Sequence, residues 1–329
     1  MNEKPVATAS EEVANVHVEA QEVADSSREH SVLAFIEIPR GSRNKYEYDE
    51  ESGTSGPLEW EPCGGPLECA SLDVPVDHDD PDGATLSLAL RRRPAEDPDR
   101  RIGSLLVNPG GPGGSAVDLA AALVLPDTVM DRFDLVGFDP RGVGGSEPLD
   151  CTAHLQDLYD VDPTLEDDAD RDALLEISRT YVDACAERYG DLLPHLGTVD
   201  VARDMDLVRR ALGEDQISYL GYSYGTSIGQ QYARLFPGRV RAMVLDGVVD
   251  LTNTGLEGAL GQAAGFTEAL DAFAAACDDR GCGLDRPAAD VVDDVLAASE
   301  EAPIPAPGAD RDATPGVVNL GITQALYSE

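Results

Sequence analysis

Apolar positions along this chain fall into short blocks that alternate between two periods. Leu72 to Val76 and Thr85 to Leu90 are apolar runs separated by the acidic turn "DHDDPDG", Asp77 to Gly83, the pattern of an antiparallel strand pair. Ser104 to Val107 and Phe133 to Phe138 are short runs bounded by turn residues, as buried strands are. Val201, Met205, Val208 and Leu212 then recur at helical spacing, and Gly213 supplies the stop. Ile217 to Leu220 predicts another strand. Ile228, Tyr232 and Leu235 share one face of the following helix, which Pro237-Gly238 ends, and Val240 to Asp246 predicts the next strand. Strand–helix–strand repetition of this kind implies a parallel sheet covered by helices.

Outside that region the pattern changes. Residues 1–30 are rich in Glu, Ala, Val and Ser without a sustained period, and are expected to be a disordered acidic segment. Residues 31–56 have a different character, a strand and a turn. The core is expected over 57–250, with helical stretches in an insertion at 153–195. After Asp250 the sheet pattern stops. Phe266, Leu270, Phe273 and Cys277 make a helical face suited to a cap, so 251–329 is expected to be the start of a cap domain, with a Pro/Gly-rich loop at 302–316 and a helix beginning at the end.

The chain has 24 basic and 63 acidic residues, a net charge of −39. Such a field repels phosphate, which argues against nucleic acid and anionic lipid surfaces as partners. The acidity is otherwise a matter of solubility and salt habit. No apolar run is long enough to span a membrane, and residues 1–30 do not have the pattern of a secretory leader.

Six cysteines are present and none forms a C-x-x-C pair, so zinc is not expected. Cys63 and Cys69, and Cys277 and Cys282, lie close together between turn residues, which leaves Cys151 for Cys185. Three disulfides would place the chain in an oxidising compartment; the alternative is six buried free thiols.

The chemistry centres on "LGYSYGTS", Leu220 to Ser227. Gly221-Tyr222-Ser223-Tyr224-Gly225 has the G-x-S-x-G spacing of a nucleophilic serine, preceded by an apolar strand and followed by an amphipathic helix. Small residues are needed on both sides because the serine sits in strained backbone, and Gly221 and Gly225 meet that need. The helix N-terminus after Ser223 favours developing negative charge. Earlier, "VNPGGPGGS", Val107 to Ser115, follows a strand. Its glycines let backbone N–H groups approach an oxyanion, with a donor expected at Gly111 to act together with the N–H of Tyr224. In "FDPRGVGGS", Asp139 and Arg141 are expected to fix the turn after their strand and to be structural. No metal or cofactor is called for.

These elements, together with "ECASLDVPVDH", "FDLVGFDPRGVGGSEPLDC" and "DMDLVRRALGEDQISYLGYSYGTSIGQQYARLFPGRVRAMVLDGVVD", resemble the α/β-hydrolase superfamily. Within it the likeness is to the secreted tripeptidyl aminopeptidase and proline iminopeptidase branch, over about residues 58–329. The resemblance implies an α/β-hydrolase fold with a mostly parallel sheet and a helical cap, and hydrolysis of amide bonds near the free N-terminus of peptide substrates, with Ser223 as nucleophile. It also implies an extracytoplasmic location, which suits the cysteines. The family's catalytic acid and histidine lie after the cap. The histidines here are at 17, 30, 78, 154 and 195, all before Ser223. His78, His154 and His195 are expected to be surface side chains, and Asp246 is an acid with no histidine to orient. The expectation is therefore a chain truncated before the last strands, inactive by itself, with an unpaired sheet edge; the alternative is a non-catalytic peptide-binding protein.

Residues 35–53, "FIEIPRGSRNKYEYDEESG", resemble the start of a soluble inorganic pyrophosphatase, in which the positions matching Glu37, Lys45 and Glu47 belong to the active site. That enzyme holds magnesium on an aspartate cluster, and "DHDDPDG" lacks its spacing, so no pyrophosphatase activity is expected. The stretch reads as a graft.

Overall fold

The structure, a computed structural model, describes residues 57–151, 157, 167–309 and 311–327, and the backbone of 17–22 and 32–37. Nine strands form one mixed sheet among the described residues: β1 (His17–Glu22), β2 (Val32–Glu37), β3 (Glu61–Gly64), β4 (Leu67–Pro75), β5 (Thr85–Arg93), β6 (Gly103–Asn108), β7 (Phe133–Phe138), β8 (Ile217–Tyr222) and β9 (Val240–Asp246). Their spatial order is β1-β2-β9-β8-β6-β7-β5-β4-β3. The centre, β9-β8-β6-β7, is parallel throughout, and β3, β4 and β5 add antiparallel pairs at one end.

Side-chain alternation explains the antiparallel end. Leu72 and Val74 on β4 and Leu86, Leu88 and Leu90 on β5 point to one buried face. Central strands are buried on both faces, which is why β6 and β7 read as continuous apolar runs rather than alternating ones.

Helices cover both faces. On one side lie α1 (Ala116–Ala122) and the short α2 (Asp127–Met130); Ala120 of α1 packs with Val107, Leu135 and Leu220. Here Gly137 of β7 is indispensable: a Cβ on it would collide with the backbone of Ala116. Further along the chain come α3 (Asp168–Tyr189), α4 (Thr198–Ala211) and α5 (Tyr224–Leu235). The opposite face of the sheet is covered by α4, through Val201, Met205 and Val208, and by α5, through Ile228 and Tyr232, each 2 % exposed or less. Gly213 follows α4 with φ of 72°, the left-handed conformation expected of its stop.

Two differences from the sequence pattern appear at the sheet's other end. β1 lies inside the stretch expected to be disordered, and the outer edge of β9 is not open. β2 pairs on it in antiparallel register, Leu33 opposite Asp246 and Phe35 opposite Val244, and β1 pairs on β2. An edge strand presents unpaired N–H and C=O groups, and the apolar run 32–36 supplies a strand to meet them.

The chain divides into two compact units, residues 1–149 with 191–249, and residues 150–190 with 250–329. The first holds the sheet with α1, α2, α4 and α5. The second is helical and contains α3, α6 (Gly255–Arg280), α7 (Ala288–Glu301) and α8 (Pro315–Ala325). A reciprocal capping box between Thr254 and Glu257 starts α6, and left-handed Gly281 ends it. The face expected on α6 is the inward one at Phe266, Leu270 and Cys277, but not at Phe273, whose place is taken by its neighbour Ala274. Its buried residues are Ala274 and Cys277, which cluster with Ala288 of α7, while Phe273 is 49 % exposed. Small side chains let α7 approach there, which is why Ala274 rather than Phe273 is buried at that turn. Phe266 instead meets Tyr327 edge-on, with ring centroids 5.6 Å apart.

All six cysteines are paired: Cys63 with Cys69, Cys151 with Cys185, and Cys277 with Cys282, with Cα separations of 5.7, 5.2 and 5.2 Å. No helix among the described residues is long and apolar enough to cross a membrane.

Candidate active site

Ser223 stands between the end of β8 and the first residue of α5. Its backbone has φ 51° and ψ −122°, one of two non-glycine residues with positive φ among the described residues. A non-glycine residue pays strain for such a conformation and keeps it only where its surroundings enforce it. Here they do. The Ser223 N–H donates to the carbonyl of Asp246 at the end of β9 (2.8 Å), and the Ser223 carbonyl accepts from the N–H (2.8 Å) and the hydroxyl (2.6 Å) of Thr226. That hydroxyl in turn accepts from the N–H of Val249 (3.0 Å). The elbow is pinned from both sides by backbone of the next strand and its loop.

The glycines around the serine are required by contact. A Cβ on Gly221 would lie 2.6 Å from the Tyr219 ring and 2.7 Å from the Gly225 carbonyl oxygen. One on Gly225 would lie 2.9 Å from both the carbonyl and the side-chain oxygen of Asn108, and one on Gly229 would lie 2.9 Å from the same Tyr219 ring. Tyr219 is 1 % exposed and its hydroxyl donates to the Gly225 carbonyl (2.8 Å). Burial pushes its ionisation far above the ordinary tyrosine range, so it stays a neutral donor beneath the elbow. Gly221 at the end of β8 and Gly225 and Gly229 on α5 recur every fourth residue; of the three, Gly229 lies outside the G-x-S-x-G spacing, and the fourfold repeat is the signal that points to it.

The glycine-rich loop comes directly against this elbow. Gly110 has φ of 87°; a Cβ on it would lie 2.9 Å from the Tyr224 nitrogen and 3.0 Å from the Cβ of Ser223. Its N–H donates to the side chain of buried Asn108 (2.9 Å), which shapes the start of the loop. Gly111, next along, has φ of 112° and its near neighbours are Gly113 and Gly114 within the loop itself. Gly110 and Asn108 were not singled out from the sequence; the repeated glycines of the loop gave no means of telling one from another. Tyr224, half-buried, opens α5, so its N–H has no acceptor within the helix, and its hydroxyl meets that of Thr198 at 2.8 Å. Tyr222, also half-buried, is shifted upward by burial and then by the negative charge of Asp246.

The remaining residues named from the sequence fall elsewhere. Asp139 and Arg141 are buried at the turn after β7. Arg141 donates to both carboxylate oxygens of Asp204 (2.7 and 2.6 Å) and to the carbonyls of Pro75, Val76 and His195. His78 is not a surface side chain. It is 8 % exposed, with Nε2 at 2.9 Å from Asp204 and 3.0 Å from Arg141, because the acidic turn after β4 folds onto this ion pair. Of His195, the carbonyl is engaged by Arg141. His154, His30, Lys45 and Glu47 lie outside the described residues, and Glu37 ends β2. Among the described residues no His/Cys/Asp/Glu cluster could hold a metal ion.

The strand–serine–helix elbow beside a glycine loop, on a sheet with helices on both faces, has a counterpart in known proteins. The family model described as the alpha/beta hydrolase fold matches residues 103–286, more than half of the chain, and this chain belongs to that family. The chain is similar to serine protease Hip1 of Mycobacterium tuberculosis, at 46 % identity over 69 % of this chain and 46 % of the relative. Its similarity to tripeptidyl aminopeptidase of Streptomyces coelicolor is 40 % over 59 % of this chain and 38 % of the relative. With carboxylesterase B of Mycobacterium tuberculosis the identity is 43 %, over 64 % of this chain and 41 % of the relative. The chain thus spans about half the length, or less, of the curated relatives it matches. The likeness of residues 35–53 to a pyrophosphatase finds no support in these comparisons.

Proposed function

We propose that this chain carries the nucleophile and oxyanion hole of a serine peptidase that cleaves amide bonds near the free N-terminus of peptides. Ser223 Oγ attacks the scissile carbonyl, and the oxygen that becomes negative is met by backbone N–H groups of Tyr224 and of the 109–114 loop, with Gly111 as the loop donor. The observation that carries this reading is the strained Ser223 at the head of α5 with Gly110 packed against it. Two of the relatives, named as a serine protease and a tripeptidyl aminopeptidase, support amide over ester cleavage; the one named carboxylesterase B supports the reverse.

The proton on Ser223 needs an acceptor. This chain has no histidine after Ser223, and His78 is committed to Asp204 and Arg141. Without a positioned base the nucleophile and oxyanion hole retain only a small part of the full rate. The chain is therefore expected to acylate slowly and to turn over little, and a second reading, peptide binding without turnover, rests on the same absence.

A fluorophosphonate probe tests the first reading. The 329-residue chain is expected to be labelled at Ser223, with the adduct located by peptide mass spectrometry and lost in Ser223→Ala. With hydroxide as the only base, the labelling rate should climb about tenfold per pH unit. A plateau near neutral pH would reveal a histidine base and overturn the account of the missing acceptor. No adduct at any pH would overturn the nucleophile itself. Tripeptidyl and simple ester reporters, compared side by side, decide between amide and ester preference.

A further inference from the structure

We infer that Asp139, outside the elbow and the glycine loop, is a positioning residue that sets the height of the oxyanion loop over Ser223. The inference rests on the serine-hydrolase reading above and adds to it a residue whose carboxylate never touches substrate.

The carboxylate of Asp139 is buried at 2 % exposure and accepts three hydrogen bonds. Oδ1 accepts from the Ser115 hydroxyl (2.8 Å) and the Val117 N–H (3.0 Å); Oδ2 accepts from the Gly145 N–H (2.8 Å). Ser115 is the last residue of the glycine loop and the N-cap of α1. Its hydroxyl accepts from the Asp118 N–H (3.1 Å) while donating to Asp139. One side chain on the β7 turn therefore holds the exit of the loop and the first turn of the helix behind it. The entrance is held separately, by Asn108 on Gly110, and Gly114 N–H closes the span onto the Gly110 carbonyl (3.1 Å).

The rest of α1 is fixed to the same ground. Gly137, two residues before Asp139, lets Ala116 sit directly on β7, and Arg93 on β5 donates to the carbonyls of Ala121 and Leu123 at the helix's other end. Asp139 itself is held by main chain: its N–H donates to Ala89 (3.0 Å) and its carbonyl accepts from the Ser146 hydroxyl (2.7 Å). A side chain held this firmly, with its oxygens accepting from both the loop exit and the first turn of α1, fixes the loop to the sheet rather than to its own flexible glycines. An oxyanion hole works only when its donors are already in place, and a displacement of about 1 Å can cost on the order of 100-fold in rate.

The test compares Asp139→Ala, Asp139→Asn, Ser115→Ala and the double variant Asp139→Ala/Ser115→Ala with the unaltered chain. Ser146→Ala serves as a control that loosens the same turn without touching α1. Fluorophosphonate labelling of Ser223 is followed against probe concentration, which separates probe affinity from the rate of bond formation. Asp139→Ala is expected to slow bond formation by about 10- to 100-fold with affinity nearly unchanged. Ser115→Ala should do so by less, and the double variant should be no slower than Asp139→Ala, because both remove one connection. Asp139→Asn keeps acceptors for Ser115 and Val117, and should recover much of the rate. A rate for Asp139→Ala within about twofold of the unaltered chain overturns the inference, as does an equal loss in Ser146→Ala, which would show mere softening of the turn. If the unaltered chain is not labelled at all, the hydrolase reading fails first. Amide hydrogen exchange over residues 109–115 then decides this one: faster exchange in Asp139→Ala but not in Ser146→Ala supports it, and unchanged exchange overturns it.

Discussion

At the scale of single residues, the site depends on where a Cβ is forbidden. Gly110 combines two demands, a φ of 87° and a backbone–backbone approach to the elbow that leaves no room for a side chain. Gly213 makes only the first demand, since its φ is 72° and nothing lies within 4 Å of a Cβ built there. The pair separates strain from collision. Gly213→Ala is expected to lower stability by about 1–2 kcal/mol, the cost of a left-handed residue, and to leave Ser223 labelling unchanged. Gly110→Ala adds a collision with the backbone at Tyr222 and Tyr224, so the loop must move away from the serine. It is expected to lose about 1–3 kcal/mol and at least tenfold in labelling rate. Urea unfolding and probe labelling of the two proteins check this; equal labelling in both would mean that the loop's distance from Ser223 does not matter.

At the scale of elements, α4 shows what the sequence makes legible. Its apolar residues recur on one face, and Val201, Met205 and Val208 are all buried against the sheet. Met205 is fully buried, so Met205→Ala is expected to cost about 2–5 kcal/mol through lost transfer energy and a cavity that α5 and the strands cannot close; denaturant unfolding with an unchanged slope is the check. β7 and β9 were equally plain, because short apolar runs between turn residues have few alternatives once a helix pattern separates them. Ser223 was legible for a different reason: a strained nucleophile needs small neighbours at fixed offsets, and that leaves a five-residue signature. What holds the site together was not. Asp139 reaches Ser115 and Val117 across more than 20 residues of sequence, and such long-range side-chain bonds leave no period. On α6 the spacing found the inward face but misplaced one position: Ala274, not the bulkier Phe273, sits against Ala288, since small residues set the helix–helix contact. The strand β2 was visible as an apolar run, but only the open edge of β9 tells where it pairs.

At the scale of the whole molecule, charge dominates. The 329 residues carry a formal charge of −39, and folding brings those charges closer together than they are in the extended chain. Salt acts on this in two opposed ways. It screens repulsion, shrinking the range of charge–charge interaction from about 10 Å at 0.1 M to about 3 Å at 1 M. It also weakens attractive pairs, but the pairs most exposed, such as Arg171 with Asp168 and Arg188 with Asp150, contribute little to begin with. The pair with most at stake, Arg141 with Asp204, has both side chains fully buried and is out of reach of screening. Relief of repulsion therefore wins, and the melting temperature is expected to rise by several degrees between about 0.05 and 1 M sodium chloride. Acid is a poorer lever for the same question. Glu257 is held below its ordinary value by the Thr254 N–H and hydroxyl, and Asp250 by the Thr252 hydroxyl and N–H. Whatever these groups add is present above their unfolded values and is lost as pH falls through the lower folded ones, which opposes the gain from neutralising other carboxylates. Calorimetry across a salt series at neutral pH isolates the repulsive contribution, and a melting temperature that fell with added salt would mean that exposed ion pairs, not crowded carboxylates, govern the stability of this chain.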